Sequence, residues 1–207
     1  MCPLRERRWW DLLGLGLLLS WFCLLNGWRT TAVLMSAAGL HELGHWAALR
    51  LLGGGRVRLR LSPFGAVMET DGLRLSYAGE LAAVLAGPAA NLLWGLLLPV
   101  VLPGPLGTAA AGANWVLGLF NLMPAPPLDG WRAVQLLLCW RLGPDRGGFW
   151  SAAAGAVGTL ALLGQLMWLM AASGGNVWLV LPAIGLAVHG AKSWAFLGKG
   201  RKQEYFR

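Results

Sequence analysis

Residues 33–48 read Val33-Leu34-Met35-Ser36-Ala37-Ala38-Gly39-Leu40-His41-Glu42-Leu43-Gly44-His45-Trp46-Ala47-Ala48. Two histidines and a glutamate stand inside an apolar run, where ionisable side chains are costly and by default mark function. On a helix His41 and His45 lie one turn apart on the same face, so both imidazoles reach one ion. Glu42 adjoins the first of them, where a carboxylate takes a proton from a water on that ion. The bland alternative is two polar residues at a helix end beside an accidental glutamate. Ala37, Ala38, Gly39, Gly44, Ala47 and Ala48 are small, so other helices can approach this face closely.

The surrounding chain is membranous. Of 207 residues 57% are hydrophobic and 13% are charged, against about 25% charged in a soluble domain. This excludes a disordered chain, a nucleic-acid binder and an ordinary cytosolic enzyme. Segments 9–28, 30–52, 78–103, 108–123, 149–171 and 177–198 predict six crossings, the third broken by Pro88 and the fourth short. The expected fold is an all-α integral membrane protein. Arg5, Arg7 and Arg8 precede the first segment as in a signal peptide, but its length and the lack of an A-x-A site favour a retained span. Cys2, Cys23 and Cys139 form no C-x-x-C pair, which argues against disulfides and a cysteine zinc site.

The cations orient the spans. Of 17 Lys and Arg, only Arg29 falls on one side of a six-span layout. By the positive-inside rule the other side is cytosolic and holds both termini. His45 then lies about seven residues from the cytosolic end of its span, or about 10 Å deep.

A metal that keeps a water needs a third protein ligand. His189 is the only other histidine, isolated in the last segment, where a packing role suits it better. Asp129 is the better candidate. It follows Asn121-Leu122-Met123-Pro124-Ala125-Pro126-Pro127-Leu128, where the short fourth span ends inside the membrane and prolines prevent further helix. The competing reading makes Asp129 the N-cap of a helix over residues 130–142. Asn121 could equally satisfy a carbonyl in a helix interface. Residues 56–70 predict a β-hairpin turning at Ser62–Gly65, or else a basic cytosolic loop touching lipid. Asn91, in Gly87-Pro88-Ala89-Ala90-Asn91, could stabilise a proline kink.

His41-Glu42-Leu43-Gly44-His45 in a span, followed some eighty residues later by Asn121, Pro124, Pro127, Asp129 and Gly130, resembles the site-2 protease family of intramembrane zinc metalloproteases. The likeness extends over residues 9–198, and the six-span layout without a PDZ insertion resembles the sporulation-type branch. It implies one zinc ion per chain on His41, His45 and Asp129, with Glu42 as catalytic base. Asn91 resembles a family element beside the active site, and the hairpin a membrane-dipping one. Asn121 would hold the substrate backbone or the oxyanion. A strand beginning at Phe64 and Gly65 would keep the substrate extended, with Pro124, Pro127 and Gly130 shaping the loop.

The implied substrate is a membrane-associated protein cut near the cytosolic face, a pro-sigma factor in the sporulation branch, under control of inhibitory membrane proteins. The implied setting is a bacterial cell membrane, the forespore-surrounding membrane for that branch. The expectation is that no nucleotide-binding (CBS) domain follows the last span and that residues 199–207 are a short basic tail, a departure from that branch. A divalent-metal transporter would need more polar residues than the isolated His189, Asn91 and Asn114. An inactive scaffold would lack bound zinc.

Overall fold

The computed structural model describes residues 14, 16–17, 19–53, 57–62, 65–70, 75–174, 180, 183–188 and 190–191. The described residues from 14 to 26 are helical. Five helices follow: α1 (Trp28–Leu51), α2 (Tyr77–Val101), α3 (Pro105–Asn121), α4 (Asp129–Leu142) and α5 (Pro144–Ala172). Residues 183–188 and 190–191 are helical within the sixth predicted segment, most of which, with His189, lies outside the described residues.

Between α1 and α2 two strands, β1 (Val57–Ser62) and β2 (Gly65–Thr70), pair antiparallel from Val57↔Thr70 to Ser62↔Gly65. Phe64 lies outside the described residues.

Glycine and proline set the element ends. Gly27 and Gly53 flank α1 with φ near 82° and 87°, left-handed backbone that a side chain disfavours. Gly143 separates α4 from α5 in the same way, with Pro144 opening α5. Two expectations are corrected. Pro88 does not break its segment: α2 runs continuously through Pro88 and Pro99. A proline removes one ladder hydrogen bond, and an apolar helix with close neighbours tolerates that loss. Pro88 is fully buried among such neighbours. Asp129 is also not an N-cap. It is the first residue of α4, the cap position belongs to Leu128, and no side chain caps the helix.

The chain divides into two compact units, residues 1–75 with 86–119, and residues 76–85 with 120–207. In the first, α1 meets α2 at Gly44, where a Cβ would lie 2.5 Å from the Ala86 carbonyl oxygen and 2.7 Å from Ala90 Cβ. Gly95 on α2 seats the Trp115 indole of α3, and Gly118 seats Asn91 and Leu92. In the second, Gly147 of α5 lies on the backbone of α4 at Cys139, and Trp131 Nε1 donates to Ser151 O at 3.1 Å. Its core gathers Ala125, Leu128, Leu162, Leu166 and Leu186.

Polarity is inverted relative to a water-soluble protein. Asn91, Asn114, Ser151 and Thr159 are buried, whereas Leu24 is 83% exposed, Val100 77% and Trp168 68%. Exposed large apolar side chains of this kind fit a lipid environment. Among the described residues, α2 and α5 are long and apolar enough to cross a membrane.

Candidate metal centre

The first unit supplies two imidazoles. His41 and His45 stand one turn apart on α1, with ring centroids 4.7 Å apart and planes at 84°. Their Nε2 atoms are separated by 3.1 Å. Two nitrogens at about 2.0–2.1 Å from a tetrahedral zinc lie about 3.3 Å apart. The pair therefore has the spacing of one edge of a zinc coordination shell. Glu42, half-buried, follows His41 on the same helix.

His41 is oriented from behind. It is 7% exposed, and its Nδ1 lies 2.6 Å from Asn91 Oδ1. Asn91 Nδ2 donates to Ala37 O at 2.9 Å and to Asn114 Oδ1 at 2.8 Å. Asn114 Nδ2 in turn donates to Ala110 O at 2.9 Å. Asn91 thus links His41 to α1 and α3 from behind, within an α2 that continues through Pro88. Asn114 is not isolated, as the sequence suggested, but joins this chain of hydrogen bonds. Its one sequence signal was an amide in the middle of an apolar run.

His45 is held by an absence. A Cβ built on Gly87 would collide with the His45 ring at Nε2, so only glycine leaves room for that imidazole. Gly87→Ala should favour the helix itself by about 1 kcal/mol while displacing the ring. The expected result is a folded protein whose zinc affinity, read by competition with a chromophoric chelator, falls about tenfold to a hundredfold, as for losses of ligand orientation elsewhere.

The second unit holds the Asp129 carboxylate. Asp129 opens α4, where a negative charge suits the helix dipole, and its Oδ2 is sealed from solvent. The preceding loop turns through hydrogen bonds from Ala125 N to Met123 O and from Leu128 N to Ala125 O. Gly130 is pressed against the Leu122 carbonyl and Gly158 against that of Pro124, so both positions exclude a side chain. Pro124 and Pro127 are exposed, and Asn121 is half-buried at the end of α3. Gly65 opens β2.

The donor set suits zinc: neutral imidazoles and a carboxylate are its ordinary nitrogen and oxygen ligands. Glu42 is adjacent to His41 in sequence and lies on another part of the helix surface.

No family model matches the chain. Known proteins do. The chain is 35% identical over 170 residues to the putative zinc metalloprotease Rip3 of Mycobacterium tuberculosis, covering 75% of this chain and 43% of Rip3. It is 34% identical over 112 residues to the zinc metalloprotease MJ0392 of Methanocaldococcus jannaschii, covering 50% of this chain and 32% of that one. The chain therefore spans less than half the length of these curated relatives. The site-2 protease structure from Methanocaldococcus jannaschii matches with a TM-score of 0.63, over 93% of this chain and 89% of that one, at 24% identity. The chain has the site-2 protease fold.

Proposed function

We propose that this protein is an intramembrane zinc metalloprotease of the site-2 type, with one zinc ion held by His41, His45 and Asp129. The observation that carries the reading is the histidine pair, its Nε2 atoms 3.1 Å apart beside Glu42. The relatives named zinc metalloproteases and the site-2 protease fold support it. Six spans with both termini in the cytosol follow from the cation distribution.

When bound, zinc acidifies a water and polarises the scissile carbonyl. Glu42 accepts the proton of the attacking water and returns it to the leaving nitrogen. Asn121 binds the substrate backbone or the developing oxyanion. A helical substrate hides its peptide bonds, so it must unwind. The edge of β2, which opens at Gly65, holds it extended by strand addition, with Phe64 as a further substrate-binding residue. The hairpin is proposed to dip into the membrane as the family's does.

The substrate is a membrane-associated protein cut near the cytosolic face. A pro-sigma factor is the candidate under the sporulation reading, which would place the enzyme in the forespore-surrounding membrane under inhibitory membrane proteins. Co-expression with a panel of membrane-associated proteins, pro-sigma factors included, tests this. The expected result is a shortened product of at least one panel member, lost when purified protein is stripped with a chelator and regained on adding zinc. Cleavage untouched by chelation would overturn the metalloprotease reading. Cleavage confined to other substrates would overturn the sporulation assignment.

A further inference from the structure

We infer that Asn114 is a positioning residue of the metal centre, fixing the tautomer of His41 through Asn91. The inference rests on the zinc reading above. A backbone carbonyl oxygen only accepts hydrogen bonds. Asn114 therefore turns its Nδ2 to Ala110 O, 2.9 Å away, which leaves its Oδ1 facing Asn91 at 2.8 Å. Asn91 likewise turns Nδ2 to Ala37 O at 2.9 Å. Both protons of that nitrogen are then used, one by Ala37 and one by Asn114.

Only Oδ1 of Asn91 remains for His41, and it can only accept. The Nδ1 of His41, 2.6 Å away, must carry the proton. The lone pair is then on Nε2, the atom 3.1 Å from its counterpart on His45. A ligating imidazole needs that tautomer, with the other nitrogen donating to an acceptor behind it.

Asn114 makes the arrangement hard to reverse. A flipped Asn91 amide would aim its oxygen at two acceptors, Ala37 O and Asn114 Oδ1, while presenting a donor to His41. Asn91 and Asn114 are both 0% exposed, so no solvent relieves either state. With Asn114 gone, one of the two penalties disappears. Asn91 also keeps a buried N–H with nothing to receive it, so its side chain loses its anchor. The three members come from three helices: His41 from α1, Asn91 from α2 and Asn114 from α3. The relay therefore couples helix packing to the direction of a lone pair.

The test uses the full chain in detergent with 15N-labelled histidine, the three histidines assigned by substituting His45 and His189. At a pH where the rings are neutral and without metal, wild type should show a single Nδ1–H tautomer for His41. Asn114→Leu, close in size, should show both tautomers and an affinity for zinc about tenfold weaker, near the low end for an indirect orienting residue. Asn114→Ala is read the same way should the leucine variant not fold. Asn114→Asp should restore the single tautomer and near-normal affinity, because a buried neutral carboxyl donates to Ala110 O and accepts from Asn91 as the amide does. A folded Asn114→Leu or Asn114→Ala protein with one His41 tautomer and wild-type affinity overturns the inference. So does an Asn114→Asp protein no better than Asn114→Leu. Wild type that binds no zinc overturns the zinc reading instead, and the tautomer measurement, made without metal, still decides the inference.

Discussion

Glu42→Gln should give a folded, zinc-loaded protein that cleaves no substrate. Glutamine matches glutamate in size and helix propensity, so α1 keeps its packing, including the close approach of Gly44 to Ala86. The substitution removes the carboxylate proposed to accept a proton beside the histidine pair. Positioned proton transfer contributes about 10²–10⁴-fold, enough to take a slow intramembrane cleavage below detection. Zinc content should be unchanged, because the proposed ligands are His41, His45 and Asp129. The measurement is the fraction of shortened substrate on co-expression, paired with metal analysis of the purified variant. Wild-type-like cleavage would sink the assignment of Glu42 as base. Loss of zinc together with cleavage would make Glu42 a ligand instead.

Asp129→Asn should fail differently, losing the metal first. Two imidazoles alone do not retain zinc with an open position; catalytic sites use three protein ligands. Losing the charge at the first turn of α4 costs about 0.3–1 kcal/mol through the helix dipole, too little to unfold the chain. Gly130 still fits against the Leu122 carbonyl, so the loop keeps its course. The expected protein is folded, poor in zinc and inactive, with partial recovery at high zinc concentration. An Asp129→Asn variant holding stoichiometric zinc would show that the third ligand lies elsewhere. The two variants separate chemistry from binding, since one keeps zinc without turnover and the other loses zinc.

Much of the centre was legible along the chain because its signals are short-range. His41, Glu42 and His45 fall within five residues, and helical periodicity alone puts both imidazoles on one face. The Pro124–Gly130 stretch announced a loop because proline cannot continue a helix. Pro88 misled for the same reason. The rule that proline breaks helices weighs the lost ladder bond but not the packing that compensates it. Asp129 was ambiguous because an acidic residue at a helix start can hold a metal or cap the helix. Only the backbone angles, with Leu128 extended at φ −68° and ψ 155°, give the cap position to Leu128.

The sequence by itself determined which residues could do the chemistry: candidate ligand types, an adjacent carboxylate, and an apolar chain whose cations, Arg29 apart, fall on one side of a six-span reading. These depend on residue identity and spacing along one element. Tertiary structure alone decided how His41 is held. Its partner Asn91 lies 50 residues away, and Asn91 takes its own partners 54 residues back at Ala37 and 23 residues ahead at Asn114. No periodicity links such positions. A buried amide costs free energy until its partners are found, and which partners it finds is settled only when α1, α2 and α3 pack together.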